Sequence, residues 1–268
     1  MTNLEVWGSP ITHSRSPELH GAAYRALGLT WDFARREVTE EGFSAALSAS
    51  SVRGLAVTYP LKEAAFRAAA WRDSRAELTG VANTLFFGAS DGLRGYNTDV
   101  AGMMSALREA GVTGPRSVRI VGAGATATSA VVAAAEMGAE RIEMAARRPE
   151  SAERLIDLGT RMGVAMSARA MDSVTDPVEL TIATLPGGAV LPPGVVAGLS
   201  RSGGTLFDVA YSPWPSVLAS AWVGEVHHGL GMLLHQAVIQ VRIFVSGDPE
   251  MTLDDEPRLI AAMRAALG

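Results

Sequence analysis

The second half of the chain alternates short apolar runs with alanine-rich stretches, and this alternation constrains the fold more than any other feature. From residue 118 onwards the order is VRIVG, TATSAVVAAAEMG, RIEMAAR, SAERLIDLGTRMG, VELTIATLP and TLFDVAY. Apolar runs separated by helical stretches are typical of parallel strands joined by crossover helices. We therefore expect residues 102–236 to form a doubly wound nucleotide-binding domain of the Rossmann type.

The first hundred residues predict a second α/β domain. Strands are expected at LEVWGSP, WDFARREV and GLAVTYP, with a hairpin formed by ANTLFFG and GLRGYN. Helices are expected at SPELHGAAYRALG with Ser16 as N-cap, at TEEGFSAALSA, over roughly residues 62–72, and at DVAGMMSALREAG. A helix pair, MLLHQAVIQVRIFVSG and EPRLIAAMRAAL, ends the sequence. We expect residues 1–101 and the returning helices, residues 237–268, to form one domain.

Composition excludes several classes of protein. The sequence has 268 residues, 48% hydrophobic and 19% charged, which is enough for a large core, and its net charge is −5. Because no segment concentrates lysine and arginine, neither a nucleic acid nor an anionic membrane is indicated as a partner. There are no cysteines, the first residues do not resemble a signal peptide, and no apolar stretch has the length of a membrane span. We expect a soluble, cytoplasmic protein.

A glycine-rich loop lies where the first Rossmann strand should meet its helix. In VRIVGAGATATSA, Gly122 permits a tight turn and Gly124 lets backbone N–H groups approach a pyrophosphate at the helix N-terminus. The third position of the GxGxxG pattern is Ala127, which still allows close packing. Such loops are common in α/β proteins, so a purely structural turn is the alternative.

The end of the next strand bears on the choice of dinucleotide. An acidic residue there would accept a hydrogen bond from the ribose 2′-hydroxyl of NAD, but the sequence has Arg147 and Arg148. Guanidinium groups suit a 2′-phosphate, so we favour NADP over NAD. The alternative is that the two arginines are simply solvated.

Three short segments in the first half carry polar groups that suit a small polyhydroxylated ligand. They are Ser14 and Ser16 in SPITHSRSPELH, Thr58 and Lys62 in AVTYPLK, and Asn83 and Asp99 in VANT and GYNTDVAG. They also have purely structural interpretations: Ser16 and Asp99 as helix N-caps, Asn83 as a turn residue, Ser14 as a solvated loop residue and Lys62 as an exposed residue at a helix start.

Seven motifs in order identify the family that the sequence resembles. SPITHSRSPELH, VTYPLK, ANT, NTDVAG, VGAGATAT, FDVAYSPWPS and GLGMLLHQA are similar to those of the shikimate dehydrogenase family, in particular its actinobacterial branch. The resemblance covers nearly the whole chain. It implies an N-terminal substrate domain and an NADP-binding Rossmann domain with a cleft between them. It also implies reversible reduction of 3-dehydroshikimate to shikimate, on the route to aromatic amino acids.

The resemblance assigns roles to individual residues. Lys62 and Asp99 match the catalytic pair, since oxidising an alcohol requires a base and reducing a ketone requires an acid. The implied substrate-binding residues are Ser14 and Ser16 for the carboxylate, Thr58, Asn83 and Gln236 for the hydroxyl face, and Tyr211 beside the carboxylate. The implied cofactor-binding residues are Gly122, Ala123, Gly124, Ala125, Thr126, Ala127, Arg147, Arg148 and Gly231, the last near the nicotinamide.

Two departures from the family pattern leave alternatives open. Ala56 stands where the family commonly has asparagine, so one substrate contact is lost or replaced by water, and Ala146 replaces the asparagine that usually precedes Arg147. A quinate/shikimate dehydrogenase with NAD or broader substrate use, and a non-catalytic NADP-binding regulatory protein, are the alternatives.

The adjacent His227 and His228 predict no metal site, because their side chains point apart. A homodimer is left open.

Overall fold

Two six-stranded sheets organise the chain, one in each of two units of the computed structural model. The structure describes residues 2–268. The first unit comprises the residues up to Gly102 together with Leu233–Gly268, and the second comprises Met103–Met232. Gln236, which the predicted boundary assigned to the Rossmann range, therefore lies in the first unit.

The first unit is built on a mixed sheet. Its strands are β1 (Asn3–Gly8), β2 (Asp32–Glu37), β3 (Gly54–Val57), β4 (Trp71–Arg72), β5 (Thr84–Phe86) and β6 (Arg94–Tyr96), in the order β2-β1-β3-β5-β6-β4. β1 is parallel to β2 and β3, whereas β5 is antiparallel to β3 and β6. The helices introduced by this part of the chain are α1 (Ser16–Ala26), α2 (Phe43–Ser48), α3 (Lys62–Ala68), α4 (Ser74–Thr79) and α5 (Asp99–Glu109). The predicted β5–β6 hairpin is confirmed.

The predicted N-cap of α1 is wrong. The first helical hydrogen bond runs from the Leu19 N–H to the Arg15 carbonyl, so Arg15 is the N-cap and Ser16 is the first helical residue. Because Ser16 lies inside the helix, its hydroxyl is left to pair with Ser14, whose Oγ lies 3.3 Å away.

The helix predicted over residues 62–72 is also too long. The backbone becomes extended at Ala69, and the Ala70 N–H then donates to the Leu93 carbonyl, which brings the chain into the sheet as β4. Asp73 follows and caps α4, accepting a hydrogen bond of 2.7 Å from the Ala76 N–H. Pairing with a distant strand thus overrides the local helical pattern.

The second unit is a parallel Rossmann sheet, as predicted. Its strands are β7 (Ser117–Val121), β8 (Arg141–Ala146), β9 (Ala165–Ala170), β10 (Leu180–Ala183), β11 (Thr205–Asp208) and β12 (Val226–His228), and its helices are α6 (Ala125–Glu136), α7 (Glu153–Arg161), α8 (Pro193–Arg201) and α9 (Val217–Ala221). The strand order β12-β11-β10-β7-β8-β9 reverses between β7 and β10, which makes this the switch point where dinucleotides bind in such sheets. The sequence pattern did not predict β9, β12, α8 or α9.

Two further helices, α10 (Leu230–Ser246) and α11 (Glu256–Ala265), contribute to the core of the first unit. Leu234, Val241 and Phe244 of α10 and Met263 of α11 are buried in a cluster with Leu4, Val6 and Leu19. Burying a large aliphatic or aromatic side chain stabilises the fold by about 1.5–3 kcal/mol. The C-terminal segment is thus part of the first unit's core, although it is distant in sequence.

His20 lies inside this core. Its ring is fully buried and stacks on Phe33 with centroids 4.0 Å apart and planes at 10°. Burial lowers the pKa of His20 from 6.5 to about 3, because the imidazolium would be desolvated. The imidazole is therefore neutral in the folded protein at neutral and mildly acidic pH.

We predict that this burial makes unfolding pH-dependent. Below the ordinary pKa of 6.5, His20 becomes protonated in the unfolded chain but stays neutral in the folded chain. The free energy of unfolding therefore falls as the pH falls towards 3. Between pH 7 and pH 5, the free energy of unfolding of the wild type should fall by about 2 kcal/mol more than that of the non-titrating variant His20→Gln. Urea titrations of both proteins measure this difference. Parallel pH dependences would show that His20 is not protected from protonation.

Candidate active site

The centre of the candidate site is a buried ion pair in the first unit. Lys62 Nζ lies 2.6 Å from Asp99 Oδ2, and the two side chains are only 11% and 7% exposed. The chain turns through residues 58–61 after β3, and Lys62 is the first residue of α3, where the predicted helix also begins. Asp99 is the first residue of α5. Helix starts favour an anion, so the helix dipole of α5 stabilises Asp99, whereas that of α3 disfavours Lys62 and leaves it dependent on Asp99.

Asn83 holds the other oxygen of this carboxylate. Its Nδ2 donates to Asp99 Oδ1 at 2.8 Å, and its Oδ1 accepts from the Thr98 backbone N–H at 2.9 Å. A carboxylate can only accept and an N–H can only donate, so these two partners fix which way the amide points. Asn83 is 2% exposed. It is neither a solvated loop residue nor a simple turn residue.

Gln236 completes this group from α10. Its Nε2 donates to the Leu233 carbonyl at 2.8 Å, and its Oε1 lies 3.4 Å from Asn83 Nδ2. α5 can approach α10 here because residue 102 is glycine: a Cβ on Gly102 would lie 2.7 Å from the backbone nitrogen of Gln236. The predicted residues Lys62, Asn83, Asp99 and Gln236 are therefore joined in one hydrogen-bonded cluster.

Ser14 and Ser16 form a second polar group in the same unit. Both serines are buried, and besides the contact between their hydroxyls the Ser16 N–H lies 3.4 Å from Ser14 Oγ. The loop is held by Arg35, whose Nε donates to the Ser14 carbonyl at 2.8 Å. Arg35 also binds both carboxylate oxygens of Glu18, at 2.7 and 2.9 Å. Two hydroxyls fixed where this loop meets α1 are suitable donors for an anion.

Ala56 lies in β3, the neighbour of β1 in the sheet, and Thr58 comes directly after β3. Thr58 is half-buried just after β3, and its methyl group packs so close to Gly8 that a Cβ there would lie 2.5 Å from it. Ala56 is buried in the apolar cluster of the first unit and pairs in register with Val6 and Thr84. The loss of a substrate contact at Ala56 stays a prediction.

The predicted cofactor loop in the second unit has the geometry that a pyrophosphate requires. Gly122 follows β7 with φ at +117°, and a Cβ on it would lie 2.5 Å from Thr184 Oγ1. Gly124 immediately precedes α6 and has open space around it. Ala125, Thr126 and Ala127 form the first turn of α6, where backbone N–H groups are left without helical partners. The loop and helix start thus fit a dinucleotide phosphate.

Arg147 and Arg148 follow β8 at the same edge of the sheet, since β8 is parallel to β7 with Val121 opposite Ala145. Both side chains are exposed, and neither makes a salt bridge within residues 2–268. Free guanidinium groups beside the glycine loop fit the 2′-phosphate of NADP.

The remaining predicted residues also lie in the second unit. Tyr211 follows β11 and is half-buried, and Gly231 lies in the first turn of α10, where a Cβ would be 3.3 Å from Ala106 Cβ. Their predicted roles stay predictions.

In residues 2–268, no three histidine or carboxylate side chains are grouped so that they could hold a metal ion, and no helix is long and apolar enough to cross a membrane.

Several residues of the cluster were not found from the sequence. Thr98 contacts both amide atoms of Asn83, at 2.9 and 3.1 Å, and Asn97 Oδ1 accepts from the Asp99 N–H at 3.1 Å. Both lie in the NTDVAG motif, whose run of polar residues before a helix was the available signal. Thr84 and Gln240 also contact Asn83, but no local pattern distinguishes them from ordinary strand and helix residues.

The fold and the site define a two-unit α/β protein with one Rossmann unit, and comparison with known proteins specifies the family. Residues 6–85 match the model of the shikimate dehydrogenase substrate binding domain. The chain is 35% identical over 267 residues to the shikimate dehydrogenase (NADP(+)) of Methanothermobacter thermautotrophicus, covering 94% of this chain and 93% of that protein. The chain therefore belongs to the shikimate dehydrogenase family.

Solved structures agree with this assignment. The crystal structure of Mycobacterium tuberculosis shikimate dehydrogenase is 38% identical, with a TM-score of 0.82 over 99% of both chains. The Thermus thermophilus shikimate 5-dehydrogenase in complex with NADP(H) and shikimate is 27% identical, with a TM-score of 0.80 over 99% of this chain and 100% of that one. The predicted family and the two-domain α/β fold class are confirmed.

The glycine loop gives a matched pair of variants. Gly122→Ala should destabilise the protein by about 2 kcal/mol or more, because alanine is strained at this φ and its methyl group meets Thr184. Gly124→Ala should change stability by less than about 0.5 kcal/mol, since Gly124 has φ of −90° and open space. Thermal or urea unfolding of the two variants measures the difference. Equal stabilities would contradict the loop geometry.

Proposed function

We propose that the protein is an NADP-dependent shikimate dehydrogenase, which interconverts 3-dehydroshikimate and shikimate with Lys62 and Asp99 as its catalytic pair. The observation that carries the proposal is the buried 2.6 Å contact between these two side chains in a chain of this family. Membership of the family indicates which reaction to expect, and the ion pair contains the group that can transfer a proton, the Lys62 ammonium.

Lys62 is suited to proton transfer in a way that no arginine of the chain is. It is the only lysine in the sequence, and every other member of the 23 lysines and arginines is an arginine. An ammonium group can release a proton, whereas a guanidinium group stays protonated in proteins. The single lysine of a chain that otherwise uses arginine thus lies at this buried position.

Hydride transfer, proton transfer and positioning are assigned to different groups. When bound, NADP(H) donates or accepts the hydride at the substrate carbon. In the direction of reduction, the Lys62 ammonium gives a proton to the carbonyl oxygen, and in the direction of oxidation the neutral amine takes it back from the hydroxyl. Asp99 fixes Nζ in place, and Asn83 fixes the carboxylate. Asn83 and Gln236, which are in contact with each other, contribute the hydroxyl-binding face.

The substrate carboxylate is assigned to Ser14 and Ser16. Their two buried hydroxyls can both donate to one carboxylate, and the Arg35 contact holds their loop against β2. Thr58 and Tyr211 are assigned to the substrate as well, on the resemblance of their motifs. Arg147 and Arg148 are assigned to the 2′-phosphate of NADP.

Substitution of Lys62 separates charge from proton transfer. We expect Lys62→Ala and Lys62→Arg both to lower kcat at least about 100-fold, because neither variant can exchange a proton with the substrate. Shikimate affinity, measured by calorimetry, should stay within severalfold, since Ser14 and Ser16 are unchanged. Near-normal turnover of Lys62→Arg would limit Lys62 to an electrostatic role, and near-normal turnover of Lys62→Ala would remove it from the reaction.

Substitution of Arg147 tests the cofactor. Arg147→Ala should raise KM for NADP about tenfold and leave KM for NAD within about twofold, because only NADP offers a 2′-phosphate for a charge-assisted hydrogen bond. Arg201→Ala is the matched control, since Arg201 is an exposed arginine at the end of α8 in the same unit. Equal losses for both dinucleotides would contradict the assignment of the 2′-phosphate.

The proposal as a whole is tested by assaying the purified protein with shikimate and with quinate, each against NADP and NAD. Selective reduction of NADP with shikimate is the expected result. Activity mainly with quinate or NAD would overturn the specificity but keep the mechanism. Binding of NADP without any turnover would favour a non-catalytic regulatory protein.

A further inference from the structure

A chain of buried hydrogen bonds connects the core of the first unit to the ion pair. It runs from Tyr24 through His20, Gln240, Thr84 and Asn83. All five side chains are at most 2% exposed. Because buried polar groups without partners are costly, such a chain is either a structural device or a support for the site at its end.

The direction of each hydrogen bond in this chain follows from elementary chemistry. Gln240 Nε2 lies 3.2 Å from the Asn83 backbone carbonyl, which can only accept, so the amide nitrogen must be on that side. Gln240 Oε1 therefore faces His20 Nε2 at 3.2 Å, and His20 must carry its proton on Nε2. The neutral ring then has a bare Nδ1, which accepts from the Tyr24 hydroxyl at 3.1 Å.

The second half of the chain has the same direction. Gln240 Nε2 donates to Thr84 Oγ1 at 2.9 Å, which leaves the Thr84 hydroxyl proton to donate to Asn83 Oδ1 at 3.0 Å. Asn83 in turn donates to Asp99 Oδ1 at 2.8 Å. Every donor thus points towards the Asp99 carboxylate, and hydrogen bonds aligned in this way polarise one another.

We propose that His20, Gln240 and Thr84 are positioning residues for the Lys62–Asp99 pair, acting through this one-directional hydrogen-bond chain on the Asn83 amide. None of the three touches Lys62 or Asp99 in the structure; each acts through the next. The proposal rests on the proposed function, because it assigns these residues to the same proton transfer. The low pKa of His20, about 3, supports it, since a protonated ring would offer two donors and break the chain at Tyr24.

Thr84 is the best point at which to interrupt the chain. Thr84→Val keeps the shape of the side chain but removes the hydroxyl, and Thr84→Ser restores the hydroxyl without the methyl group. We expect Thr84→Val to lower kcat for shikimate oxidation about tenfold, with KM for shikimate within threefold. Thr84→Ser should recover at least half of the wild-type kcat, and Gln240→Leu should lower kcat in the same way as Thr84→Val.

A merely structural role would give a different pattern. If Thr84→Val kept wild-type kcat in an active enzyme, or if Thr84→Ser lost as much as Thr84→Val, the positioning role would be overturned while the proposed function stood. A wild-type protein that did not oxidise shikimate would overturn both. Melting temperatures of the variants establish whether each one folds.

A measurement on the wild type keeps the proposal testable even if the variants do not fold. With ¹⁵N-labelled histidine, the His20 signals, assigned in the wild type from nuclear Overhauser contacts to the neighbouring Phe33 and Tyr24 rings, should report a neutral ring protonated on Nε2 at every pH from 5 to 8. A ring protonated on Nδ1, or titration of His20 within this range, would overturn the one-directional chain.

Discussion

The contact between Lys62 and Asp99 is the interaction on which the rest of the first unit's polar architecture depends. Both charges are almost removed from water, and the cost of desolvating such a pair is compensated only when the geometry is good and the remaining lone pairs are used. Asn83 uses the second oxygen of the carboxylate, and the Asp99 backbone N–H is held by Asn97. These buried polar residues thus provide the hydrogen bonds that a desolvated ion pair requires.

The position of the pair follows from the topology. β3 and β5 are antiparallel neighbours, and Asn83 immediately precedes β5 while α3 begins shortly after β3 ends. α5 starts just after β6, the next strand of the sheet. Three chain segments therefore bring an ammonium, an amide and a carboxylate to one place, and α10 adds Gln236 from the far end of the chain.

The sequence predicted those parts of the structure that depend on local signals. The Rossmann strands with continuous apolar runs were predicted correctly because both faces of a parallel sheet are buried. β9 was missed because AMSARA, on an edge of that sheet, is only exposed or half-buried and has no apolar run. β12 was missed because it is a short edge strand of three residues, VHH.

The site residues likewise fall into those with a local sequence signal and those without one. Lys62, Asn83 and Asp99 lie in motifs that can be read from the sequence, and the structure brings them together. The contacts of Gln240 with Thr84 and with His20 span 156 and 220 residues of sequence, so only the folded chain reveals them. The predicted N-cap at Ser16 was wrong by one residue, although its signal is local: Arg15 is the N-cap, and the Ser16 hydroxyl contacts that of Ser14.

Because the sequence contains a single lysine, the central claim can be examined directly in solution. Protein labelled with ¹³C-lysine should give one lysine Cε signal, that of Lys62. We predict that shikimate alone shifts this signal as it saturates the site, and that Asp99→Asn shifts it in the absence of ligand. A Cε signal that stays unmoved at saturating shikimate would show that Lys62 does not contact the substrate and would contradict the account.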